Sequence, residues 1–218
     1  MKQLPPLVHE GHQKITLTMM VDLLGGGPGA PDFSAASIGS VEVKLKQMKS
    51  KLKYGAMYER RETAEQMRDL GKKLLRVTAE GLQKLAKDQD AELKSGDSKR
   101  IGAFWDKVQT ATKMIDFAAD FWLSGTRGLA ELGFFKGGPN GEPNAQLTAE
   151  VAAYKSAVGD VWSIIGKMVD RAPVTGNADW GITRRKVDTL GRMLTNQFGV
   201  FEADWLTPAK PERVSTLA

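Results

Sequence analysis

Cysteine is absent from all 218 residues, which excludes disulfides, Cys-ligated zinc, iron–sulfur clusters and thiol catalysis together. It leaves the compartment open, because a cysteine-free chain tolerates reducing and oxidising surroundings alike. Histidine is nearly absent too, with both copies in the segment His9-Glu10-Gly11-His12. Metalloprotease helices place two histidines four apart to bring both imidazoles to one face. Here the spacing is three, within a proline-containing arm, so no metal site is expected and none of the acids is assigned as a third ligand. A long apolar run is also missing: ITLTMMVDLL is interrupted by Asp22 and is far shorter than the ~20 residues a spanning helix needs. As an export signal the same run is poor, since its leader is long and weakly basic and Pro31 follows the only small-residue cleavage candidate. The location therefore stays unknown, with the cytoplasm or a virion or secreted assembly as the expected settings.

What is present is ordinary for a globular chain: 41% hydrophobic and 26% charged residues, net charge +5 and pI near 9.3. The basic balance suits an acidic partner, nucleic acid or a membrane surface without requiring any of them.

LLGGGPGAPDFS, residues 23–34, contains Gly25, Gly27 and Ala30 at the offsets of a dinucleotide-binding loop. That loop works only between a strand and a helix N-terminus whose free N–H groups meet the pyrophosphate. Pro28 and Pro31 remove donors, no sheet-forming segments follow, and no Gly-Lys-Ser/Thr ending makes a P-loop. The stretch reads as a hinge, and no cofactor or small-molecule substrate is expected. Asp88, Asp90 and Glu92 alternate as in a calcium loop, but Leu93 stands where the turn needs glycine. Asp116, Asp120 and Glu131 lie near apolar residues, yet no nucleophile or base accompanies them in a recognised pattern. The chain is therefore expected not to be an enzyme.

The periodicity is helical. Val41, Leu45, Met48 and Leu52 step by four, three and four residues, and Met67, Leu70, Leu74 and Val77 resume the stripe after Gly55 interrupts its register. This predicts one helix of about 50 residues from Ser37 to Lys87, ~75 Å long. A turn follows at Ser95-Gly96-Asp97, with Asp97 or Ser98 as a cap. The next helix carries Phe104, Trp105, Phe121 and Trp122 and weakens at Ser124–Gly128. GGPNGEPN is a loop; Leu147 to Met168 forms another helix ending before Pro173; VTGNADWG is a polar connection; and Val187 to Phe201 forms the last helix. Residues 15–24 fit a short helix or a strand.

The expected fold is all-α, an elongated helical bundle over residues 37–207, with a flexible arm at 1–36 and a tail at 208–218. Because most aromatics fall between 101 and 205, the bulky core is expected in the second half.

Two surface features bear on function. The stripe of Val41, Leu45, Met48 and Leu52 is the expected self-association seam. Lys44, Lys46, Lys49, Lys51 and Lys53, offset only by Glu42, flank it as a basic face for a partner or for nucleic acid. The expected function is a non-enzymatic assembly subunit that packs on copies of itself or on a protein partner, as in a virion or a secretion machine. A sequence-independent nucleic-acid-binding module using the five lysines is the alternative. A membrane-active helical protein stands third, since the stripe lacks the anchoring aromatics of a membrane-surface helix.

Overall fold

The computed structural model describes residue 33 and residues 35–135, 143–172 and 178–207. They form five helices and no strand: α1 (Ala35–Tyr54), α2 (Met57–Leu93), α3 (Ser98–Glu131), α4 (Ala145–Arg171) and α5 (Ala178–Trp205). Residues 15–24, most of the arm and the tail lie outside the described residues.

Local chemistry sets the helix ends. Asp97 caps α3 by accepting from the Lys99 N–H at 2.9 Å, and Asn144 caps α4 by accepting from the Leu147 N–H at 2.9 Å. Gly96 (φ 69°) and Gly133 (φ 82°) occupy the left-handed region that terminates α2 and α3. Across the first of these turns Arg100 grips Glu92 through two 3.1 Å hydrogen bonds, which raises the guanidinium pKa and lowers that of the carboxyl.

Side-chain pairings give the helix directions. On α2 and α3, the Ala64 carbonyl faces Gly125 while Gly71 faces Ala118, so these two run antiparallel. Arg68 pairs with Glu150, and Gln89 donates to the Met168 carbonyl at 2.7 Å, so α4 runs with α2. Gln109 donates to Thr183 at 2.8 Å and Gln197 to Asp116 at 3.1 Å, so α5 runs with α3. Lys49 pairs with Asp120 at 2.6 Å and Leu52 packs on Gly128, so α1 also runs with α3. The result is an alternating five-helix bundle in which α3 touches all four other helices.

The single helix of about 50 residues is not formed. Gly55 and Ala56 break it, the chain doubles back, and the longest helix is the 37-residue α2. Folding back lets the Val41–Leu52 stripe bury against the chain's own α2 and α3, which a straight rod leaves in water. Helix α2 runs without interruption through Gly71 and Gly81. Both are buried, and at Gly71 a Cβ would stand 2.7 Å from the Ala118 carbonyl oxygen.

Three further boundaries differ from expectation. Helix α3 does not weaken at Ser124–Gly128, because Gly125 and Gly128 serve close packing against Ala64, Arg68 and Leu52. Ala178–Gly181 belongs to α5, not to the connection before it; Trp180 there donates to the Val169 carbonyl at 3.1 Å and ties the helix start to α4. Helix α1 starts at Ala35, two residues before the Ser37 expected, and Phe33 is buried in the core. The other buried aromatics, Phe104, Trp105, Phe121, Trp122, Tyr154, Phe198 and Phe201, all lie beyond residue 100.

Candidate interaction surface at the elbow

The expected self-association stripe is inside. Val41, Leu45 and Met48 are 1%, 5% and 3% exposed within the core, and Leu52 is half-buried against it. The pattern that suggested a contact between chains makes one within the chain instead, since helical periodicity records burial and not the identity of the partner.

The five lysines divide. Lys46 pairs with Glu42 at 2.7 Å, which lowers the Glu42 pKa, and Lys49 pairs with Asp120 at 2.6 Å. Lys44 is half-buried; desolvation lowers its pKa, and repulsion from Lys51 adds to the effect. Lys51 and Lys53 are exposed and meet no carboxylate among the described residues, although the Lys53 ammonium sits 5.1 Å from the Tyr54 ring centre. At 100° per residue Lys46, Lys49 and Lys53 project on the α3 side of α1, while Lys44 and Lys51 project on the other.

Beside Lys53 the elbow exposes large apolar groups. Tyr54, Met57 and Tyr58 are 75%, 72% and 72% exposed, within five residues of one another. The chain after α3 ends at the same height, where Phe134 is exposed and the Arg61 guanidinium lies 4.6 Å from its ring centre. Arg61 also pairs with Glu65 at 3.0 Å.

Beneath the elbow α1, α2 and α3 enclose a cleft of about 430 Å³, where Lys49, Lys53, Arg60 and Arg127 meet Glu131. Arg60 reaches Glu131 at 3.4 Å and Arg127 reaches Asp204 at 3.8 Å. With Asp120 on Lys49, three of these four cations have a carboxylate, and Lys53 is the surplus charge. A second open groove of about 580 Å³ runs between α4 and α5, where the Trp162 ring packs on Gly191.

The three acids singled out in the sequence all hold structural contacts. Asp120 takes Lys49 and the Ser124 hydroxyl at 3.0 Å, and Glu131 takes Arg60. Asp116 accepts from Gln197; burial raises its pKa, and the nearby Asp120 raises it further. Among the described residues no group of three or more His, Asp or Glu side chains is placed to hold a metal ion. His9 and His12 lie outside those residues, as does the Gly25–Ala30 loop.

The elbow cluster was missed as a site because its members lie outside the apolar stripe. The signal was there: Tyr54, Met57 and Tyr58 flank a glycine that breaks the register inside an otherwise charged stretch. Comparison with protein-family models, characterised proteins and solved structures finds no match, and no described helix is long and apolar enough to cross a membrane.

Proposed function

We propose that this chain is a non-enzymatic assembly subunit, of the kind that builds virions or secretion machines, and that it associates with copies of itself through the elbow. One observation carries the reading: Tyr54, Met57 and Tyr58 stand 72–75% exposed at the junction of α1 and α2, with the Lys53 ammonium 5.1 Å from the Tyr54 ring centre. Tyrosine, methionine and arginine are among the residues enriched at protein interfaces, and tyrosine buries a large area at low entropic cost. Three large apolar groups at one helix junction are more than packing inside the bundle requires.

Light scattering after size-exclusion chromatography across protein concentrations tests this. The mass of the wild-type particle rises with concentration. The triple substitution Tyr54→Ser, Met57→Ser, Tyr58→Ser leaves it monomeric with unchanged helicity. A wild-type protein that stays monomeric at millimolar concentration removes the proposal.

A second reading is favoured by Lys44 and Lys51, which repel each other, and by Lys53 on the other side of α1; among the described residues none of the three meets a carboxylate, which leaves positive charge for an anion to relieve. Contacts to a nucleic-acid backbone there would be independent of sequence and steeply dependent on salt. Retention of short DNA at low salt by the wild type, lost on changing these three lysines to glutamine, supports it. Equal retention by both proteins removes it.

A further inference from the structure

We infer that Gly55–Ala56 is a hinge through which α1 is exchanged between two copies, each α1 docking on the α2–α3 pair of the other. This rests on the reading of the chain as a self-associating subunit, and it names the segment that makes the connection.

The elbow is close to a helix already. The Gly55 N–H donates to the Lys51 carbonyl at 2.8 Å and the Arg60 N–H to the Ala56 carbonyl at 2.9 Å, both with the spacing of a continuing α-helix. At Ala56 φ is −62°, the helical value, and only its ψ of 157° departs from a helix. Little holds that departure. Alanine is a poor N-cap with no side-chain acceptor, and the one cap contact is the Glu59 carboxylate taking the Ala56 N–H at 3.0 Å. No proline prevents α1 and α2 from joining into one helix of ~90 Å at 1.5 Å per residue.

Exchange conserves the contacts α1 makes. Val41, Leu45, Met48 and Leu52 bury against α2 and α3, and Lys49 pairs with Asp120. An identical surface on a second copy accepts the same side chains in the same places, so swapping leaves these energies unchanged and the hinge decides the balance. Straightening adds helical hydrogen bonds at the hinge. A two-fold dimer also brings the two hinges together, so that Tyr54, Met57 and Tyr58 of one copy cover those of the other. The exposed cluster and the breakable elbow then have a common explanation.

The absence of cysteine makes the test direct. Leu52 Cδ2 lies 3.1 Å from where a Cβ would stand on Gly128, so Leu52→Cys with Gly128→Cys places two thiols across the α1–α3 contact. Monomer and dimer fractions of this variant are separated, oxidised and run on a denaturing gel without reductant. Exchange gives covalent dimers from the dimer fraction and only intrachain bridges from the monomer fraction. A dimer fraction that yields only monomer-sized bands overturns exchange while leaving association through the elbow standing.

Two hinge variants in the cysteine-free chain give an independent readout, with helicity measured to check folding. At Gly55 a Cβ would stand 2.6 Å from the Lys51 carbonyl oxygen, so Gly55→Ala crowds the elbow while favouring the straight helix. It raises the dimer association constant about five-fold per hinge. Ala56→Pro suits the elbow's φ of −62° and gives up only the exposed hydrogen bond from the Ala56 N–H to Glu59, whereas a continuous helix rejects it more strongly, by a lost helical hydrogen bond and a ring clash. The substitution leaves only monomer. Dimer fractions unmoved by both variants overturn the hinge, and the absence of any dimer, even with Gly55→Ala, overturns both the hinge and the assembly reading.

Discussion

Where α2 meets α3, two backbones touch. A Cβ on Gly125 would stand 2.5 Å from the Ala64 carbonyl oxygen, and one on Gly71 would stand 2.7 Å from that of Ala118. The same antiparallel register sets Thr78 opposite Ala111, so small residues recur every seven along both helices, at 64, 71 and 78 and at 111, 118 and 125. Buried threonines fit the seam because each hydroxyl turns back onto its own helix, as Thr78 does to the Leu74 carbonyl at 2.7 Å. Where α1 meets the same pair, the contact consists of long, adaptable side chains, Leu45, Met48 and Leu52, with one ion pair at its edge. The first junction has no room to slip. The second can be parted and remade, since its side chains re-form the same contacts on any identical surface.

Breaking the tight junction produces the largest effect. Gly125→Val forces the two backbones apart and destabilises the fold by about 3 kcal/mol or more, read as a fall in the urea midpoint. The control Gly39→Ala, on an exposed helical position where no atom lies within 4 Å of the added Cβ, does not lower the midpoint and adds up to about 1 kcal/mol of helix propensity. If Gly125→Val melts with the wild type, the seam does not hold the bundle.

A smaller effect tests what locks the seam from above. The Tyr154 hydroxyl reaches the Ala118 carbonyl at 2.9 Å and the Gly71 carbonyl at 3.2 Å, bridging both helices at the point where glycine leaves them bare. Its ring stacks on Trp122 with centres 4.3 Å apart, and burial keeps the phenol protonated well above its ordinary pKa. Tyr154→Phe keeps the stacking and loses the bridge, at a cost of about 1 kcal/mol in denaturant unfolding. Amide exchange on α2 and α3 near residues 71 and 118 speeds up before exchange on α1 does. Faster exchange on α1 alone contradicts this placement.

The smallest effect concerns pH, on the α3 edge near α1. Asp116 is half-buried beside Gln197, with Asp120 and Lys49 nearby, and its pKa is raised chiefly by desolvation. A carboxyl raised in the fold binds its proton more tightly there than in the unfolded chain. Its penalty is therefore full at neutral pH and is relieved as pH falls through the folded value toward about 4, the unfolded one. Asp116→Asn is accordingly more stable than the wild type at pH 7, and the two converge near pH 4 in paired thermal melts. A gap that widens on acidification refutes the assignment. Glu42 and Glu92, whose partners lower their pKa values, act with the opposite sign but cancel in this difference.

Much of this was legible before any fold existed. The all-α class followed from apolar spacing of three and four residues, and the α3 cap from Asp97 after Ser-Gly. The bulky core followed from aromatics concentrated beyond residue 100. Each is a local property, carried by neighbours on one helical turn or by a single backbone hydrogen bond. The lysine face was legible only as a list. That Lys46 and Lys49 are answered by Glu42 and Asp120 while Lys51 and Lys53 are not depends partly on a helix 71 residues away.

The sequence by itself determined which segments are helical and which face of each seeks cover. Only the tertiary structure decided what does the covering. The Val41–Leu52 stripe would serve a second copy or its own chain equally well, and the choice turns on whether two residues at 55 and 56 bend. Gly125 and Gly128 read as weak points because glycine lowers helix propensity, yet they sit where α3 packs closely on α2 and α1. Propensity belongs to one residue and its neighbours, whereas close approach belongs to two distant segments at once. Until both are placed, the absence of a side chain cannot be told apart from the space another helix needs.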